Sequence, residues 1–217
     1  NDPRPKPGDA VVLWRRWRLV ADQELYDLGT DPAQAHNVIA QFPEVANALR
    51  AHYTNWWTGV APRVHEISPI HLGSTHENPT QLSPCDWVDV FLDQQAQVRR
   101  TKKNGAWALF IEHAGEYEFS LRRWPVETDA PITAAMPAYQ GVDGTFAAGD
   151  AFPVASAELN IGGQSRQQAV GPADRAVTFS VTLPRGPVTL QTWFRDAAGR
   201  EIAGAYYVYA RALQPGT

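Results

Sequence analysis

Apolar positions along this chain follow two different rhythms, with the change near residue 62. Val11–Trp14 and Trp17–Val20 are strand-like runs separated by Arg15-Arg16. Glu24–Leu28 is a third short run, after the turn residues Ala21-Asp22-Gln23. Strands this close in sequence are joined by hairpins, so the spacing predicts a small antiparallel sheet. Gly29-Thr30-Asp31-Pro32 ends it, because glycine accepts a positive φ and proline cannot donate to a ladder. Residues 43–57 then carry the strongest helical period. Val45, Leu49, Tyr53 and Trp56 fall on one face, Pro43 suits a first turn and Glu44 complements the macrodipole. This predicts an amphipathic helix packed on the small sheet through that face and closed by Gly59 and Pro62.

From His65 onward the period is two. Trp107, Leu109 and Ile111 alternate with smaller or polar residues, His113–Glu116 turns, and Tyr117, Phe119 and Leu121 alternate again. Further runs lie at 157–161, 177–183, 188–194 and 204–209, separated by Pro184-Arg185-Gly186-Pro187 and Asp196-Ala197-Ala198-Gly199. Many short strands with turn signals and no helical period between them predict a β-sandwich. Residues 125–155 are rich in Pro and Gly and weakly patterned, which predicts an extended surface loop. The fold class is therefore α+β. Residues 1–62 form a small antiparallel sheet with one packed helix, and residues 63–217 form an all-β, jelly-roll-like sandwich.

Composition narrows the function. The chain has 217 residues, 44% of them apolar, and a formal net charge of -4, so it lacks the basic footprint of a nucleic-acid binder. No apolar run approaches the roughly 18 residues of a membrane helix. One cysteine cannot close an internal disulfide or build a zinc site alone. Cys85 has Asp86 beside it, which opposes thiolate formation. His71, His76, Glu77 and Asn78 cluster, but Gly73-Ser74 breaks any helix that would align the histidines on a metal. Asp143 and Asp150 lack the full ligand spacing of a calcium loop. No serine stands in a nucleophile-elbow context. The motifs thus assign no catalytic, cofactor or metal residue.

Eight tryptophans are a high number for this length. Trp56, Trp57, Trp87, Trp107, Trp124 and Trp193 offer flat faces to sugar rings, against the competing use of tryptophan as core filler. Trp56 and Trp107 belong to buried-face patterns. Trp124, at a strand end between Arg123 and Pro125, is the candidate exposed ring, with Arg122 and Arg123 as partners for a sulfated glycan.

Three stretches carry a family resemblance. Trp17-Arg18-Leu19-Val20, Glu24-Leu25-Tyr26-Asp27-Leu28, and Thr30-Asp31-Pro32-Ala33-Gln34 with Asn37-Val38 resemble the C-terminal subdomain of formylglycine-dependent arylsulfatases. Pro43-Glu44-Val45 matches the start of that subdomain's helix. Leu72-Gly73-Ser74, Asn78-Pro79-Thr80, Asp86-Trp87, Leu121–Pro125 and Gly204–Tyr209 look like an extension found in bacterial members. The resemblance implies a non-catalytic C-terminal fragment, a scaffold that helps shape the substrate cleft of a parent hydrolysing sulfate esters. It also implies an upstream catalytic domain as partner, calcium and formylglycine as the parent's cofactors, and a periplasmic or secreted parent. Cys85 lacks the proline and arginine of the family's nucleophile motif, so the chain itself is expected to be inactive. The chain opens on Asn1 rather than Met, consistent with a piece of something longer, and an apolar patch around Val11, Leu13 and Trp14–Trp17 is expected to be bare. The alternative is a carbohydrate-binding sandwich that holds a glycan through its aromatics.

Overall fold

A computed structural model describes residues 6–213. The chain divides into two compact units, one ending at Glu66 and one beginning at Ile67, against the 62/63 boundary expected from the pattern.

In the first unit β1 (Val11–Trp14), β2 (Trp17–Val20) and β3 (Glu24–Asp27) form an antiparallel sheet in the order β1-β2-β3. Helix α1 runs from Pro43 to Val60. The register places Val12, Leu19 and Leu25 in one row, and these pack with Ala46 and Leu49 of the helix, Trp17 and Phe42. Asn37 fastens the connection, its side-chain oxygen accepting from Leu25 N–H at 3.0 Å and Ile39 N–H at 3.1 Å. The helix face differs from the one predicted. Ala46 and Leu49 are its buried residues, while Trp56 is 53% exposed. The small sheet is too short to cover the last helical turns, so Tyr53, Trp56 and Trp57 cluster with each other instead. Val11, Leu13 and Trp14 are exposed, as the bare-patch expectation requires.

The second unit is a β-sandwich. Short strands β4 (Ile70–Leu72) and β5 (Thr80–Leu82) lead to helix α2 (Gln95–Arg100) and then to β6 (Ala106–Ile111) and β7 (Gly115–Arg122). A small hairpin, β8 (Tyr139–Gln140) with β9 (Thr145–Phe146), precedes β10 (Ser156–Ile161), β11 (Gln164–Ala169), β12 (Val177–Leu183) and β13 (Gly186–Arg195). β14 (Glu201–Ala203) and β15 (Tyr207–Ala212) finish the chain's regular structure. One sheet has the order β11-β10-β13-β6-β4 with β14 also on β13; the other has β12-β7-β15-β5. Alternation sends Trp107, Leu159, Leu190 and Phe194 of the first sheet and Phe119, Phe179 and Val208 of the second into one core.

Several elements are absent from the sequence pattern. β4, β5 and β14 are three residues each, too short to show a period. β11 is polar on both sides, so it has no alternation to read. The last strand begins at Tyr207 because Ala205 and Tyr206 are both buried, with Ala205 N–H donating to Thr192 Oγ at 2.9 Å. The 125–155 segment is anchored rather than loose, since Ile132, Phe152 and Val154 enter the core. Among the described residues no helix is long and apolar enough to cross a membrane.

Candidate functional site

The predicted glycan contacts fall in or near the core. Arg123 is fully buried and Trp124 is 4% exposed, so neither presents itself to a ligand on the surface. Arg123 donates to three backbone carbonyls, those of Ala134 (3.0 Å), Arg99 (3.3 Å) and Asp150 (2.6 Å). Its guanidinium lies 3.4 Å from the Phe152 ring centroid and 4.5 Å from that of Trp124. Burial lowers its pKa from 12.5 to about 10. Trp124 Nε1 donates to the same Ala134 carbonyl at 3.1 Å. The pair is a clamp for the 125–155 segment. Arg122 is half-buried on the opposite side of β7, with Nη1 buried and unpartnered.

The other sequence candidates are scattered. His71 Nδ1 meets Glu112 Oε1 at 2.6 Å, a hydrogen bond that holds the Glu112 carboxyl below its usual range. Asn78 is a staple that donates to Ala212 O and accepts from Ala212 N–H. Cys85 is exposed. Among the described residues no group of three His, Cys, Asp or Glu side chains is arranged to hold a metal.

A coherent polar surface lies on the outward side of the β11-β10-β13-β6-β4 sheet. Because side chains alternate, the residues between the core positions of β13 point outward: Pro187, Thr189, Gln191, Trp193 and Arg195. Register aligns them with their neighbours. Trp193 stands opposite Glu158, and Glu158 opposite Gln167. The next row is Ser165, Asn160, Gln191 and Ala106. Beyond it Thr189 faces Ala108 and Pro187 faces Phe110. Ala106 and Ala108, beside the outward residues of β13, are small. A depression of about 390 Å³, lined by Asn160, Gly162, Gly163, Pro187, Thr189 and Gln191 among others, opens at one end of that outward row. Trp193, half-buried, stands at the other.

The polar groups around Trp193 are held in place. Arg195 Nε and Nη2 each reach Glu158 Oε2 at 2.8 Å, and the guanidinium carbon lies 5.6 Å from the Trp193 ring centroid. Ser165 Oγ donates weakly to Glu158 Oε1 at 3.5 Å, leaving that oxygen able to accept a stronger donor. Gln167 Nε2 donates to Ser156 Oγ at 3.1 Å. Arg195 is steadied by the following turn, where Gly199 O accepts from its Nη1 at 3.4 Å. That turn is tied by Asp196, whose carboxylate accepts from Arg200 N–H and Ala198 N–H and is thereby held below the usual carboxylate range.

Trp193 is among the tryptophans singled out from the sequence, but its neighbours are not. The signal for them is Glu158 and Asn160 interleaved with Ala157, Leu159 and Ile161 in one strand, which marks an outward face bearing polar groups. Gln167 and Ser165 leave no such trace, because the strand that holds them has no apolar face.

No protein-family model matches the chain, and no curated protein sequence does. Its fold is similar to part of a ruminal GH26 endo-β-1,4-mannanase, at 10% identity and a TM-score of 0.37 over 63% of this chain. The match spans 26% of the mannanase. It is also similar to a family 35 carbohydrate-binding module from Clostridium thermocellum, at 10% identity, TM-score 0.34, covering 61% of this chain and 98% of the module. A family 35 module from Cellvibrio japonicus Abf62 matches at 14% identity, TM-score 0.33, covering 63% and 99%. These findings correct the sulfatase resemblance. The structures that the chain resembles are carbohydrate-binding modules and a mannanase, and no family model supports the motif match at Trp17–Val38. A hairpin sheet, a D-P turn and a Pro-Glu-Val helix start are generic packing and capping signals, which short stretches of many chains share.

Proposed function

We propose that the second unit binds a glycan on the outward face of the β11-β10-β13-β6-β4 sheet. The observation that carries this reading is Trp193, an aromatic ring set among polar side chains on a sheet surface, flanked by an oriented Glu158–Arg195 pair. A sugar ring has an apolar face of polarised C–H groups and a rim of hydroxyls. The negative face of an indole complements the first. Carboxylate, amide and guanidinium groups placed around it complement the second. Both features are set on strands rather than loops, so the site is largely pre-formed and loses little entropy on binding. The outward row of β13 from Trp193 to Pro187 spans six residue steps, roughly 20 Å, which suits a short stretch of polysaccharide. Binding is the activity assigned to this arrangement.

The test is isothermal calorimetry of the full chain against soluble neutral, uronic-acid-containing and sulfated polysaccharides, repeated with Trp193→Ala and Glu158→Gln. Loss of the tryptophan is expected to weaken binding by about tenfold or more, with the sheet still folded because the core positions of β13 are untouched. Glu158→Gln is expected to weaken binding to a smaller degree. No binding to any polysaccharide, or unaltered binding by the tryptophan variant, would remove the proposal.

A further inference from the structure

The first unit carries an open sheet edge whose backbone, side chains and charges complement themselves. β1 is paired on one side by β2, and among the described residues no strand pairs with its other side. Ala21 N–H donates to Ala10 O at 2.9 Å, so Ala10/Ala21, Val12/Leu19 and Trp14/Trp17 are the hydrogen-bonded pairs of this hairpin. The N–H and C=O groups of Val11 and Leu13 therefore point the other way, out of the edge. The strand's side chains are apolar, and Val11 (46%), Leu13 (66%) and Trp14 (48%) are exposed. Although only four residues long, this apolar edge presents unpaired backbone groups that another strand can take up.

We infer that two copies of the chain pair through β1, antiparallel about a two-fold axis at Val12. Using all four outward backbone groups on both copies requires Val11 of one copy to lie opposite Leu13 of the other. Ala10 then falls opposite Trp14, and just past the strand ends Asp9 of one copy lies beside the Arg15 turn of the other. The small residue thus meets the large ring, and at each end of the paired strands an exposed carboxylate comes near an exposed guanidinium. Asp9 and Arg15 are both exposed, and among the described residues neither belongs to an ion pair within the chain. Shifting the axis to Val11 or to Leu13 leaves part of the outward backbone unpaired and separates these charges. The assembled sheet has the order β3-β2-β1-β1-β2-β3, with both copies of α1 on the same face, since a two-fold axis normal to a sheet keeps its faces. A self-complementary patch is what an isologous dimer needs, whereas a foreign strand would have to match both the register and the charge pattern.

The test is sedimentation equilibrium of the full chain over a concentration series, with Asp9→Arg and the double swap Asp9→Arg/Arg15→Asp. Wild type is expected to form a concentration-dependent dimer. Asp9→Arg brings like charges near each other at two places and is expected to weaken the dimer about tenfold or more. The double swap restores opposite charges and is expected to recover it. Arg15 has φ 55°, a conformation aspartate tolerates, and both sites are on the surface, so the variants should fold. A chain that is monomeric at every concentration overturns the inference. So does a dimer that ignores Asp9→Arg, or one that the double swap fails to rescue.

Discussion

Arg123 is the residue whose loss should be felt most in the sandwich, and the size of the effect follows from its partners. Replacing it with Met keeps most of the side-chain volume but removes the guanidinium. The cation's own balance is close to neutral: burial lowers its pKa to about 10, and the Phe152 and Trp124 rings offset part of that cost. What remains is the fate of the carbonyls: Ala134 O keeps Trp124 Nε1 and Arg99 O keeps Asp150 N–H, so Asp150 O alone loses its donor. At about 1–3 kcal/mol for an orphaned acceptor, the variant should lose about 2 kcal/mol. In a unit of this size that corresponds to a fall in Tm of roughly 4–8 °C. Arg123→Lys should lie between the two, because one ammonium cannot span acceptors on three separate segments. Urea and thermal unfolding followed by tryptophan fluorescence measure both. A loss below about 1 kcal/mol for Arg123→Met would refute the reasoning, since it would mean that the Asp150 carbonyl is rehydrated or that the guanidinium is dispensable.

Two further outcomes test other parts of the fold. Tyr206 is fully buried, donates to the Thr101 carbonyl, and has its pKa raised to about 12 by desolvation. The phenol contributes stability that is intact below the unfolded-state value near 10 and is lost as pH rises toward 12. The ultraviolet phenolate titration of wild type minus Tyr206→Phe should show a step near 12 in the folded protein; a step near 10 would contradict it. Gly105→Ala places a Cβ 2.5 Å from Trp87 Cγ and should cost about 1–3 kcal/mol, read by chemical denaturation, with an unchanged midpoint as the contrary result.

The candidate site was only partly legible. Trp193 stands out in a sequence because tryptophan is rare and large, but eight of them cannot be ranked for exposure without knowing which strands pair. Trp124 shows why. Its neighbours Arg122 and Arg123 suggested a wet strand end, yet Arg123 finds its partners on segments 11 and 27 residues away and is carried inside with the ring. Trp56 erred in the opposite direction, because the helical period extends beyond the sheet available to cover it. Gln167 and Ser165 became part of a site through register with β10, a relation that no local pattern contains.

By itself the sequence determined the elements: the three short strands before a helix, the period-two runs of the sandwich, and the turns between them. Those depend on local sterics and on the alternation of apolar side chains, which are written residue by residue. The tertiary structure decided which tryptophan meets solvent, which arginine is buried, and which polar side chains gather in one row. Those outcomes depend on strand order and register between distant segments, where a shift of one residue exchanges the inner and outer faces of a whole strand.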